Sequence, residues 1–478
     1  MITILAFRHL LVKKGRSLFL LLGYGLGVGV MIVLLSVGQA MLEQSQDVSL
    51  VGGGELTVLP QGIDVEAMRT GGVSGMFFGI ARARFLTRQL LGGARHAARV
   101  AAVSPALENK LVYLRHGARS VVARAGGEIP SRAAALGAGL KLRAGHWADH
   151  AADSAWLAPT PGQLYDELDR FHLPATPDST WGEWHYFNVA AGPDEWWYIT
   201  YLVGGAVPTG RWGGQLLVTH RQPGGRYTRY SASFPSDSVV FDTTRADLTL
   251  GGNTVRQADG RYTLEAARRG PGGALRLSLT VVPTPHRFFP PVELREGASP
   301  SGYVVPALAA TASGRICVGA RCTTLAGAPA YHDHNWGVWR NVTWDWGAAS
   351  GARFNVLYGA VYAPEDTLTR TGAPPIFVAL VDSLGVRQIL RSHVVRYDGR
   401  LPGRGGVAVP ARFAFLAARD ADTLRVRATI LDAQATRMGA GAMGRSFLQM
   451  RGRFTLEGTV AGAAVADSGM GFFETYVE

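Results

Sequence analysis

From Trp181 onward the chain is written in short runs of Trp, Tyr, Phe, Val and Thr, cut at near-regular intervals by Gly, Pro or Asp. WGEWHYFNVA, EWWYITYLVGG, GGQLLVTHRQ, RYTRYSASF, DLTLGGNTVRQ, GRYTLEAARR and ALRLSLTVVPT succeed one another. A second series runs from SGYVVPALAAT through NVTWDWGA, ARFNVLYGAVYA and GRFTLEGTVAG to GMGFFETYVE. Branched and aromatic residues suit a pleated, half-buried surface, and the turn residues between them predict antiparallel neighbours. Each strand then has one apolar face and one polar or pocket-lining face, which closes most simply as a barrel. Two series of about eight strands predict a mostly β chain with two antiparallel barrels, the second either closed or partly open.

A different signal precedes these strands. Leu18 to Met41 is a run of 24 residues without a charge, and a helix needs only about 20 apolar residues to cross a bilayer. Arg8, Lys13, Lys14 and Arg16 come before the run, and Glu43 and Asp47 after it. The positive-inside rule therefore places the first 17 residues in the cytoplasm and the domains beyond the helix outside, as in a single-pass protein of the inner membrane with periplasmic domains. A cleaved signal peptide is the other reading, with small residues at Gly38 and Ala40, although the apolar run is longer than a usual signal core. Gly23, Gly25, Gly27 and Gly29 give small-residue spacings that permit a second helix to approach.

Net charge is +12, but it is not evenly spread: Arg69 to Arg143 holds 13 basic residues against Glu108 and Glu128. A basic patch beside an anchor meets anionic headgroups, whose attraction fades within a Debye length, so nucleic acid is not an expected partner. Residues 42–150 read as a small exported α+β domain, with a short strand at 52–64, a basic amphipathic helix around Phe85 and strands near 100–125. Residues 151–178 read as a linker with a short helical candidate at Gln163 to Arg170; the two barrels are assigned to 179–310 and 311–478. Cys317 and Cys322 are the only cysteines and can close a small disulfide loop outside the cytoplasm.

Chemistry concentrates in YHDHNWGVWR, Tyr331 to Arg340. On a strand His332 and His334 share one face and Asp333 takes the other. Two histidines could hold a metal only with a third ligand, and neither His185, His220, His286 nor His393 is placed by spacing, so no metal and no cofactor are expected. An alternative is proton chemistry: Asp333 or His332 as an acid, His334 orienting it or holding water, and Trp336, Trp339, Trp344 and Trp346 lining a dry pocket with Glu183, His185, Tyr186 and Tyr198. A third is purely structural, with Asp333 or Asn335 bonding a turn and Trp336 plugging a barrel end. No dinucleotide fingerprint, phosphate loop or nucleophile elbow occurs.

Two resemblances carry these expectations further. EWHYFN, DEWWYITYLVGG, GGQLLVTHR, YHDHNWG, WDWG and the closing MGFFETYV resemble the carotenoid 1,2-hydratase (CrtC) and AttH family, whose paired lipocalin-like domains pack around a lipophilic pocket. AFRHLLVKKGRSLFLLLGYGLGVGVMIVLLSVGQAM, GGELTVLPQG, VAAVSP and LRAGHWAD resemble the start of a MacB/FtsX-type ABC transporter permease. Unlike such permeases, this chain has no second apolar run long enough to cross a membrane. Together they imply a membrane-anchored protein that binds a lipid or isoprenoid beside permease and ATPase subunits. The alternatives are a hydratase or cyclase acting on an isoprenoid or polyketide alkene, and a structural or chaperone-like partner.

Overall fold

The computed structural model describes residues 14–46, 56, 58, 80–117, 119–136, 169–174, 176–294, 301–339, 342–362, 376–401, 407–437 and 445–477. The strand expected at 52–64 and the helix expected at Gln163 to Arg170 lie largely or wholly outside these residues. The chain divides into two compact units, residues 1–87 with 100–157, and residues 88–99 with 158–478.

In the first unit, helix α1 (Lys14–Gln46) overruns the apolar segment at both ends. Its stretch Lys14–Val37 is long and apolar enough to cross a membrane, and none of it is buried by the protein. Space around Gly23, Gly25, Gly27 and Gly29 is open to 4 Å. The basic helix α2 (Ile80–Gly92), whose residues from Arg88 onward are assigned to the second unit, buries Phe85 at the expected position. Strands β1 (Ala106–His116) and β2 (Arg119–Glu128) form an antiparallel hairpin, and a short helix α3 (Pro130–Ala135) follows.

The second unit is built from two barrel-like sheets. The first contains β3 (Trp181–Ala190), β4 (Trp196–Gly205), β5 (Trp212–Arg221), β6 (Tyr227–Pro235), β7 (Val239–Phe241), β8 (Leu248–Leu250), β9 (Asn253–Ala258), β10 (Arg261–Gly270), β11 (Gly273–Pro283), β12 (Phe289–Leu294), β13 (Ser301–Val318) and β14 (Arg321–Val338). Its order is β6-β5-β4-β3-β14-β13-β11-β10-β9-β8-β7, with β12 added beside β13. The two ends of that path, β6 and β7, are joined by only the turn Ser236–Ser238, so the sheet must curl until its edges meet. Arg268 of β10 donates to the Ser231 carbonyl of β6 at 2.8 Å across the closure. Among the described residues the two end strands do not pair with each other, so the sheet is barrel-like and its β6 edge is approached by β10 through this contact, not sealed by a strand ladder.

The second sheet repeats the scheme with β15 (Thr343–Gly351), β16 (Asn355–Tyr362), β17 (Ile376–Asp382), β18 (Gly385–Ser392), β19 (Arg396–Asp398), β20 (Arg412–Arg419), β21 (Asp422–Arg437), β22 (Ser446–Val460) and β23 (Ala463–Val477). Its order is β18-β17-β16-β15-β23-β22-β21-β20-β19, and β18 also pairs with β20. In both sheets the first strand lies beside the last, β3 on β14 and β15 on β23.

Residue 310 lies within β13, so the division between the sheets is not there. It falls between Val338 and Thr343. Apolar composition could not reveal this, because β13 and β14 are long strands whose sequence does not pause at the old boundary. Cys317 and Cys322 are bonded near the β13–β14 turn, directly opposite one another with Cα atoms 4.0 Å apart.

Burial tells which strands face a second layer. Along β10 and β11 buried and exposed residues alternate, as they do in a barrel wall with one wet face. In β3, β15, β16 and the second half of β14 nearly every residue is buried. Those strands are covered on both faces. Val356, Tyr358, Phe413, Phe454 and Phe473 belong to the core of the second sheet. An aromatic cluster of Tyr186, Tyr198, Tyr303, Tyr331, Trp346, Phe472 and their neighbours draws on both sheets.

Candidate functional site

The histidine motif lies on β14, paired with β3 in the register His332 to Phe187, Asp333 to Tyr186, His334 to His185 and Trp336 to Glu183. Strand alternation therefore creates two separate polar centres, one on each face of the same two strands.

On one face His332, His334, His185 and Glu183 are buried with Asp169, which arrives from the segment before β3. Asp169 bridges the histidines: Oδ2 lies 2.9 Å from His332 Nε2 and Oδ1 lies 2.6 Å from His334 Nδ1. His334 Nε2 contacts Glu183 Oε1, also at 2.6 Å. Both Glu183 oxygens accept the His172 backbone N–H at 2.9 Å. His172 stacks on Trp336 at 3.6 Å between ring centres, and His332 stacks on Phe187 at 3.9 Å.

Burial by itself would strip the His334 proton, but the Glu183 and Asp169 carboxylates outweigh it and raise this imidazole to about 9. Burial would raise Asp169, and the three histidines around it instead hold it well below the usual carboxylate range. Glu183 is likewise held down against its burial, chiefly by His334. Burial and the charge on His334 push His185 well below the ordinary histidine value. The result is an imidazolium clamped between two carboxylates, with neutral His185 beside it.

Asp169, His185 and His334 bring donor atoms within 4.8 Å of one another, as do His172, Glu183 and His334. Either trio has the donor types of a metal site, but neither contains His332: the expected His332 and His334 pair is not brought together in either, and His334 is joined instead by Asp169 with His185 or by Glu183 with His172. His334, common to both trios, already meets a carboxylate at each ring nitrogen. A metal at either trio would have to replace a His334 proton.

The opposite face turns toward the second sheet. Asp333 accepts from Tyr331 Oη and from Asn335 Nδ2, each at 2.8 Å. Trp346 Nε1 donates to Tyr331 Oη at 3.2 Å. Glu474, from β23, accepts from Trp344 Nε1 at 3.1 Å and from Tyr186 Oη at 3.3 Å. Gln449 Nε2 donates to the same tyrosine oxygen at 2.9 Å. Burial raises Asp333 well above the usual carboxylate range and the charge on Glu474 adds to it, against the hydrogen bonds from Tyr331 and Asn335. Burial pushes Glu474 up to about 7, against three hydrogen-bond donors. Two buried carboxyl groups, both shifted toward their neutral forms, thus share an aromatic interface.

The expected pocket residues divide between the two faces. Tyr186, Tyr198 and Trp346 belong to the inter-sheet cluster, and Trp344 packs against it. Glu183, His185 and Trp336 join the ionic centre. Trp339 caps the strand end, donating to the Gly182 carbonyl at 3.0 Å and leaning on Trp184. Asp333 is separated from His332 and His334 by the sheet itself. Asp169, His172, Gln449 and Glu474 were not singled out in the sequence. Glu474 carried a visible signal, as the lone acid in GFFETYV. Asp169 carried none, since nothing local to 151–178 reports a contact with residues 332 and 334.

No protein-family model matches the chain, and no curated protein matches it. Among solved structures it is similar to a putative AttH from Nitrosomonas europaea, at 17% identity over 62% of this chain and 93% of that one, with a TM-score of 0.44. Kievitone hydratase from Nectria haematococca is similar at 11% identity over 63% of this chain and 91% of that one, TM-score 0.42. CghA with Sch210972 is similar at 13% identity, covering 65% and 94%, TM-score 0.44.

Proposed function

We propose that the interface between the two sheets receives an apolar lipid- or isoprenoid-type molecule, and that the chain presents this site while anchored by α1. The observation that carries the reading is the placement of Asp333 and Glu474, two buried carboxyl groups, within one aromatic cluster. Aromatic faces supply apolar contact, and neutral acids cost far less to desolvate than charged ones, so the site tolerates a ligand without water. The charge pattern around α1 supports an N-terminus in the cytoplasm and the sheets outside, at the inner membrane. Association with permease and ATPase subunits of an ABC-type exporter is part of this proposal and is supported by the resemblance of the N-terminal segment.

A second reading is favoured by the raised Asp333 carboxyl. A neutral carboxylic acid can give its proton to an alkene carbon; the π pair forms the new C–H bond and leaves a cation facing the aromatic rings. Water then forms the C–O bond, and its surplus proton returns to a carboxylate, so the net reaction is addition of water. With an internal nucleophile in place of water the same step gives cyclisation.

Native mass spectrometry of the full chain, released gently from membranes, tests the first reading. A stoichiometric apolar molecule supports it. An empty protein that binds no isoprenoid or lipid when challenged removes it in favour of a structural or chaperone-like role. For the second reading, Asp333→Asn should abolish turnover of any alkene substrate so identified while binding persists; unchanged turnover would remove Asp333 as the acid.

A further inference from the structure

A shallow, open cavity of about 430 Å³ lies beside the end of β3 and the first part of β14, lined by Ala190, Pro193, Leu325, Pro329 and Arg451 among others, several of them exposed. Its position follows from strand alternation. Pro329 lies two residues from Tyr331, and Ala190 four from Tyr186, so each shares a face with the aromatic cluster. Arg451 lies two residues from Gln449 on β22, which places it roughly 7 Å along the strand from the residue that contacts Glu474.

Arg451 stands out electrostatically. Its guanidinium carbon lies 4.2 Å from the centre of the Trp196 ring, and that of Arg221 lies 4.3 Å from the same centre. The two cations are not equivalent. Arg221 forms an ion pair with the buried Asp432, whereas Arg451, opposite Asp432 on the neighbouring strand, makes no hydrogen bond or ion pair among the described residues; burial and Arg221 pull it down, and the more distant Asp194 offsets only part of this. A half-buried cation that no carboxylate contacts directly is costly, and stacking on an indole offsets only part of that cost.

Asn188 lies on β3, two residues from Ala190 of the cavity lining and two from Tyr186. It pairs with Tyr331 on one side and Tyr198 on the other. Both polar atoms of its carboxamide are buried without a hydrogen-bond partner. A buried amide with no partner is uncommon in a finished core and suits a site completed by a ligand.

We propose that this cavity receives the anionic head of an amphiphile, Arg451 binding a carboxylate or phosphate oxygen and Asn188 giving a second polar contact, while the apolar remainder runs along the sheet face toward Tyr186 and Asp333. This rests on the reading that the interface takes an apolar molecule, and it narrows the ligand class to anionic amphiphiles. It also fixes polarity: the charged end sits at the Arg451 cavity and the apolar end at the acids.

The test uses the full chain in a nonionic detergent, titrated separately with decanoate, decyl phosphate and decanol, with tryptophan emission and calorimetry as readouts. Decanoate or decyl phosphate should bind at least about tenfold more tightly than decanol, the scale of one charge-assisted hydrogen bond. Whichever anion binds better identifies the head group. Arg451→Gln should erase that preference and leave decanol affinity unchanged, and Asn188→Leu should weaken both anions severalfold. An unchanged melting temperature for each variant shows that the fold is kept. If decanol binds as well as the anions, or if Arg451→Gln keeps the preference, this inference is overturned while the apolar site stands. If none of the three binds, both fall.

Discussion

At Glu474 burial makes the protonated carboxyl the favoured native form. Its value rises from 4.5 to about 7 on folding, so the native state holds a proton the unfolded chain has lost. That contribution is complete below pH 4.5 and is lost as pH rises to 7, on the order of 3 kcal/mol. Chemical denaturation across this window should show the loss in the native protein and its absence in Glu474→Gln. His334 behaves with the same sign at higher pH: raised from 6.5 to about 9, it gives stability present below 6.5 and lost as pH climbs through 9. His334→Gln should flatten that second slope. It should also cost about 3–5 kcal/mol, because Asp169 and Glu183 would remain buried without their cation.

At the scale of elements, β14 illustrates what the sequence discloses. Period-two alternation on YHDHNWG already assigns His332 and His334 to one face and Asp333 to the other, and the contacts of the folded strand agree. Of the partners, Glu183 is among the residues the sequence offers, while Asp169 and Glu474 are not legible, because they reach the motif through long-range packing that no local pattern encodes. The sheet division was misplaced for the same reason: β14 belongs with β3 because of pairing, not composition. The motif ends at Gly337, whose φ is +137°, and a Cβ there would sit 2.1 Å from Ser301 Oγ. Gly337→Ala should therefore destabilise by about 1–3 kcal/mol, read as a lower melting temperature, from strain and the forced movement of Ser301. Replacing Cys317 and Cys322 together by serine should cost at most about 2 kcal/mol in denaturant titrations, because the loop they close is short.

For the whole molecule, α1 has the length and apolar composition to cross a bilayer. If it spans the bilayer, the full chain should stay with membranes through high salt and alkaline carbonate and leave only with detergent; release by salt would indicate surface attachment alone. The order of strands has a further consequence for synthesis. In each barrel the last strand made is a central one: β14 stands between β3 and β13, and β23 between β15 and β22. Until β14 has left the ribosome no strand stands between β3 and β13, and until β23 follows none stands between β15 and β22, although β18 and β20 can already pair. Neither barrel can close piecemeal as its residues emerge, so each must be kept from aggregating as a nearly complete but open chain. That waiting time falls twice in one round of translation, and the halves of the inter-sheet site, Asp333 on β14 and Glu474 on β23, first meet only after the second wait is over.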